Sequence, residues 1–290
     1  MGPGMQLWSG MCLLIRGLLI NMGVVSAFLI PGSPLPHFQD HNPPWNAMAG
    51  ALSVAGSALE AANPDSIIVY STQWIAVLDQ LWQTRDRVFG RHVDENWHEF
   101  GALEYDIEID VDLANACIES SEAVGVKSKA VDYDGFPIDT GTIIADTFLN
   151  TAQKPLVVTS NNVYHDMTVT ETIGKLVADS AMVQKKDIAI VGVGGLSGAF
   201  FRKEINPRED KIFSEAYDSL NRQMLDLIST GDCDKAMAFV PHYNEQAKPD
   251  MGFKQFGFIA GALNYKYSGA EVHYYGPLYG AGGAVVEFRL

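Results

Sequence analysis

The sequence predicts an α/β fold: a central mixed sheet flanked by helices, in a single domain. Three observations predict it. Short apolar runs rich in β-branched residues recur at 24–30, 66–70, 156–159 and 187–193, each the length of a strand buried on both faces. Stretches with helical spacing alternate with them, which favours strand–helix–strand units. No linker or internal repeat divides the 290 residues, and that length suits one large α/β domain with inserted loops.

Residues 24–30 (VVSAFLI) form the first strand, and the proline-rich run 31–37 (PGSPLPH) ends it, because proline cannot continue a central ladder. Residues 46–62, Ala-rich with Leu52 and Leu59, follow as a helix. The chain is organised around 66–74 (SIIVYSTQW). Its apolar half is a strand, and Ser71, Thr72 and Gln73 stand at the carboxyl end of that strand, the sheet edge where open α/β folds bind ligands. From Trp74 to Phe100 the sequence reads as irregular. Residues 104–110 (EYDIEID) alternate as a half-buried strand, then 112–124 form a helix capped by Asp110 or Asp112 and closed at Gly125.

A short strand at 126–131, a loop at 132–141 and a helix at 142–149 come next. The strand at 156–159 ends in Ser160-Asn161-Asn162, and 166–183 is helical through Ile173, Leu176, Val177 and Met182. The strand at 187–193 runs into a glycine-rich loop. Helices are expected at 211–229, 234–240 and 252–263, with a last strand at 284–288.

The net charge of −15 repels phosphate backbones and anionic headgroups, which argues against nucleic-acid and membrane-surface partners. Cys12, Cys117 and Cys233 show no paired spacing, so a disulfide framework or structural zinc is not expected and a reducing, cytoplasmic setting is. The apolar stretch at 11–20 is interrupted by Arg16 and lacks the flanks of a signal peptide. Residues 1–21 are therefore expected to be an extension outside the fold, with the domain spanning 22–290.

Single motifs carry little chemistry. The loop 192–198 (GVGGLSG) has Ser197 at the sixth position, where the last glycine of a dinucleotide fingerprint should stand, and no crossover helix with a ribose-binding acid follows. The same loop misses the last glycine of a nucleophile elbow, which weakens a Ser197 hydrolase using His242 or His273. His37 and His41 sit in a proline-broken loop rather than on one helical face. His92 and His98 read as surface or interface residues. The acidic alternation at Asp106, Glu108, Asp110 and Asp112 reads as a solvated strand face.

Taken together and in order, several strand-end motifs do carry a signal: 28–37 (FLIPGSPLPH), 64–74 (PDSIIVYSTQW), 105–110 (YDIEID), 132–142 (DYDGFPIDTGT), 160–165 (SNNVYH), 191–198 (VGVGGLSG), 206–210 (NPRED) and 284–290 (AVVEFRL). With them, residues 22–290 resemble the class III extradiol ring-cleavage dioxygenases, in the branch that opens aminophenol rings. The resemblance implies an Fe(II) site of two histidines and a carboxylate, with open positions for substrate and O2. The positions matching those histidines hold Gly32 and Gln73 here, and Asp250 stands for the carboxylate. The family's acid/base histidine is matched by Gly198, and an active-site tyrosine by Thr140.

The resemblance thus implies a vestigial pocket at Gly32, Gln73, Thr140, Gly198 and Asp250, with no catalytic residue and no metal in this chain. It also implies a partner: a homologous, Fe(II)-bearing catalytic β subunit that handles the 2-aminophenol-type substrate, in an α2β2 assembly. The stretch 89–100 and the tail 274–290 are candidate contact surfaces for it. Two alternatives remain: an active enzyme with an atypical ligand set such as His37 with Asp250, and a binder of small aromatic molecules in the vestigial crevice.

Overall fold

The computed structural model describes residues 23–38, 43–198 and 205–290. Expectations for residues 1–21, Cys12 and His41 lie outside the described residues. Eight strands form one mixed sheet in the order β6-β3-β7-β2-β8-β1-β10-β9. They are β1 (Val24–Ile30), β2 (Ser66–Ala76), β3 (Gln80–Gln83), β6 (Ser128–Val131), β7 (Leu156–Asn162), β8 (Ile188–Val193), β9 (Gly269–Leu278) and β10 (Ala281–Arg289). A separate hairpin pairs β4 (Arg87–His92) with β5 (Leu103–Glu108). The α-helices are α1 (Pro43–Ala62), α2 (Val111–Ala123), α3 (Thr140–Leu149), α4 (Met167–Gln184), α5 (Glu215–Ser229), α6 (Cys233–Ala247) and α7 (Lys254–Ala262).

Strands β7, β2, β8 and β1 run parallel and make the centre of the sheet. Their side chains alternate between two cores. Ala27, Leu29, Ile68, Tyr70, Ile188 and Ile190 meet α2, α4, α6 and α7 on one face. Phe28, Ile30, Ile67, Val69, Ala189 and Val191 meet α1 and α3 on the other. Burial on both faces is why these strands read as continuous apolar runs.

Helix α7 is buried along its whole length because glycines let it approach its neighbours. A β-carbon on Gly261 would fall 2.0 Å from the Glu171 carbonyl of α4, and one on Gly174 2.1 Å from the Phe258 carbonyl.

Three strands arise where the sequence reads as irregular or unassigned, namely β3, β4 and β9. Strand β3 is four residues, two of them glutamine, held by β6 and β7, so partners rather than propensity make it. Strand β4 carries Arg91 opposite Glu104 of β5, and Arg87, opposite Glu108, reaches diagonally to pair with Asp106. Strand β9 contains Pro277 and lies at the sheet edge, where a missing amide costs no ladder bond.

Strand β2 also extends beyond Tyr70. Its register to β7 jumps from Tyr70↔Thr159 to Ile75↔Asn161, so residues 71–74 bulge out opposite Ser160. The polar residues therefore occupy a mid-strand bulge rather than the strand's end. Trp74 turns inward against Phe136, while Gln73 faces out. The acids at 106–112 also divide: Asp106 is paired with Arg87 on the hairpin face, but Asp110 is buried, caps α2 and binds Lys186.

The tail is core rather than contact surface at Ala284, Val285, Val286 and Phe288. In 89–100, Trp97 and Phe100 pack internally with each other and with Tyr279 and Phe38. Phe89 and Val93 remain open, at 72% and 50% exposure.

Candidate functional site

At the carboxyl edge of β2 and β8 a cleft of about 560 Å³ opens, a size that suits a single-ring molecule. The β2 bulge supplies Thr72, Gln73 and Ile75. Asp139 and Thr140 come from the start of α3, Gly198 from the loop after β8, and Pro249–Met251 from the connection into α7. The end of β4 contributes His92, and the segment after it Asp94, Glu95 and Asn96.

Four of the five family-matched positions, Gln73, Thr140, Gly198 and Asp250, thus line one cleft. Gly32 lies directly beneath Gln73: a β-carbon there would stand 2.9 Å from Gln73 Nε2 and 3.0 Å from its Cδ. A β-carbon on Gly198 would meet nothing closer than Ala281 at 3.8 Å, so packing does not require glycine at that position.

The sequence reading missed the wall at 92–96. His92, expected at the surface or an interface, is half-buried and lines the cleft. Its Nε2 lies 2.8 Å from Thr140 Oγ1, and the Thr140 hydroxyl donates to Asp94 at 2.9 Å. With that proton committed, His92 Nε2 is the donor to Thr140. Asp139 caps α3 through the Thr142 amide and accepts the Ser71 hydroxyl at 2.5 Å. The cleft therefore holds an organised polar wall that no local motif announces.

Asp250 accepts the Gly195 amide at 2.7 Å. Burial pushes its carboxyl above the usual carboxylate range, with the Gly195 bond offsetting part of the effect.

Gly192 in β8 and Gly194 just after it serve packing. A β-carbon on Gly192 would fall 2.6 Å from the Gln255 carbonyl, and one on Gly194 2.8 Å from both Thr72 Oγ1 and Gln255 Nε2. Ser197 is 1% exposed and accepts from Asn221 at 2.9 Å and from the Gly282 amide at 3.2 Å. His242 is exposed against Phe239, and His273 is engaged by Glu287 at 2.8 Å. Ser197 therefore has no base and is a structural hydroxyl.

Asn221 ties this loop down further. It accepts from Tyr243, which also binds the Leu196 carbonyl, and donates to Tyr275.

The iron implied by the resemblance does not fit these donors. Position 32 offers no donor atom and position 73 a neutral carboxamide, which leaves one carboxylate where Fe(II) calls for two imidazoles as well. His37 is exposed in the 34–38 turn and does not line the cleft with Asp250, so the alternative ligand pair is not assembled. Among the described residues, no group of three His, Cys, Asp or Glu side chains comes together to hold a metal ion. Cys117 and Cys233 are buried and unpaired, and burial pushes both thiols up to about 12. No helix among the described residues is long and apolar enough to cross a membrane.

Comparison with known proteins adds the following. A family model described as the catalytic LigB subunit of aromatic ring-opening dioxygenase matches residues 32–287. The 2-aminophenol 1,6-dioxygenase alpha subunit of Pseudomonas sp is 48% identical over 271 residues, covering 93% of this chain and 100% of the relative. The beta subunit of that name, also from Pseudomonas sp, is 25% identical over 293 residues, covering 94% and 96%. A crystal structure of an uncharacterized Escherichia coli K12 protein superposes with a TM-score of 0.65 at 13% identity, over 91% of this chain and 99% of that one, which shows a shared fold.

Proposed function

Because this chain belongs to the family of the LigB-type subunits of aromatic ring-opening dioxygenases, we propose that it is the non-catalytic α subunit of a two-subunit 2-aminophenol 1,6-dioxygenase. In this reading its partner is a homologous β subunit that holds Fe(II) and uses O2 to open the ring of 2-aminophenols, in an α2β2 assembly. Support comes from the two Pseudomonas relatives: one of each named subunit is homologous to this chain, and both align along nearly all of it. The two kinds of subunit are thus variants of one domain.

The observation that carries the non-catalytic reading is the pairing of Gly32 with Gln73 in the cleft. Two imidazoles and a carboxylate are what a facial iron site needs, and the neutral amide of Gln73 is a poor substitute. Gly198 stands where the resemblance places the acid/base histidine and Thr140 where it places an active-site tyrosine, and neither can act as a general base at neutral pH. The residues that remain do structural work. Asn221, Tyr243 and Ser197 fix the loop after β8, while Asp139 and Ser71 fix the bulge of β2.

The persistence of a cleft of about 560 Å³ favours a second reading, in which it still admits a small aromatic molecule without metal. Saturable aminophenol binding to the metal-free chain would support that.

The test of the main reading is to purify this chain alone and together with a β-type partner, then measure bound iron and aminophenol turnover. Iron and turnover only in the pair support the proposal. Stoichiometric iron in the isolated chain contradicts it.

A further inference from the structure

At the wall of the cleft, Gln73 occupies the space that a side chain at position 32 would take. The Gln73 carboxamide lies across the α-carbon of Gly32, and any side chain at position 32 would meet it at 2.9–3.0 Å and Val193 Cγ1 at 3.2 Å. The atoms met are the far end of an exposed side chain, so a side chain at 32 must push the carboxamide aside but need not move backbone. The backbone of Gln73 is fixed by the bulge: its main-chain N–H donates to Ser71 Oγ at 3.2 Å, and Ser71 is itself bound to Asp139. The two departures from the family pattern are therefore two halves of one contact.

We propose that Gln73 and Gly32 form a plug and socket that keep a divalent metal ion out of the cleft, so that metal binding returns only when both positions change together. The proposal rests on the reading of this chain as a subunit without iron of its own. An imidazole restored at 32 alone must first displace Gln73, and one restored at 73 alone still faces a position without a donor. Restored together, two imidazoles would adjoin over the cleft that Asp250 lines, where one carboxylate oxygen remains outside its bond to Gly195. Three donors of that kind make a site for Fe(II) or Co(II).

The experiment loads the full-length native chain, Gly32→His, Gln73→His and the double variant with Co(II) under argon. Metal is then counted after gel filtration, and the d–d absorption of bound cobalt is recorded. The double variant is expected to retain about one ion per chain, and the native chain and both single variants at least about ten-fold less. A single variant that retains as much as the double, or a double variant that retains no more than the native chain, overturns the proposal.

A double variant that stays empty leaves the subunit reading standing. A native chain that retains one ion removes both.

The contact is also tested without metal, through the melting temperatures of Gly32→Ala, Gln73→Ala and their combination. Gly32→Ala is expected to lower the melting temperature when Gln73 is present and to lose that effect beside Ala at 73. Equal effects in the two backgrounds overturn the plug.

Discussion

Replacing Asn221 by alanine tests whether the loop at the cleft is held by one buried polar network. Asn221 is fully buried and makes three side-chain bonds: to Ser197 Oγ at 2.9 Å, to Tyr275 OH at 3.0 Å and from Tyr243 OH at 2.7 Å. Each partner keeps a second bond when Asn221 is gone. Ser197 keeps the Gly282 amide, Tyr275 keeps Asp218, and Tyr243 keeps the Leu196 carbonyl. The loss is therefore three net bonds and a small cavity rather than three orphaned groups. At about 0.5–1.5 kcal/mol per bond, the variant should lose about 2–4 kcal/mol. The assay is urea unfolding of native and variant chains, with the slope checked for constancy. A loss below about 0.5 kcal/mol, within the range of an ordinary surface change, would show that the network does not hold this loop.

Three further outcomes follow from the same packing and electrostatics. Gly192→Ala drives a β-carbon against the Gln255 carbonyl at 2.6 Å and Ile259 Cδ1 at 2.7 Å, so thermal unfolding should show a loss of about 1–3 kcal/mol. Burial holds the Asp250 carboxyl above its unfolded value, so its contribution to stability falls as pH rises from about 4 through the folded value. Asp250→Asn keeps an acceptor for Gly195, and the variant should be the more stable of the two at pH 7 in denaturant titrations across pH. Burial also acts against Asp110, but Lys186, Ser66 and the Leu113 amide outweigh it and hold that carboxyl below its usual range. Its stabilisation is therefore present above about pH 4 and lost as pH falls through the lower folded value. Lys186→Met should weaken the fold at pH 7 and converge with the native chain in acid.

The central strands were legible because burial on both faces leaves no choice of residue: 24–30 and 66–70 read as apolar runs and fold as such. Helix caps were equally local, as at Asp110, where the side chain accepts the Leu113 amide. Strand β3 was not legible, since QLWQ becomes a strand only through β6 and β7. The cleft divides in the same way. Gln73, Thr140, Gly198 and Asp250 could be chosen by motif, and the structure brings them together around one cavity. His92 and Asp94 could not, because their route into the cleft depends on a hairpin whose partner strand lies ten residues further along the chain. The filling of the Gly32 position by Gln73 is likewise a tertiary fact, 41 residues apart in sequence and in contact only through the bulge of β2.

The account is tested most directly by supplying the isolated chain with excess Fe(II), O2 and 2-aminophenol and following ring opening by absorbance. No turnover is predicted for the chain alone, with activity appearing on addition of a β-type partner whose histidine ligands are intact. Ring opening by the chain alone, at a rate the partner does not change, would contradict it.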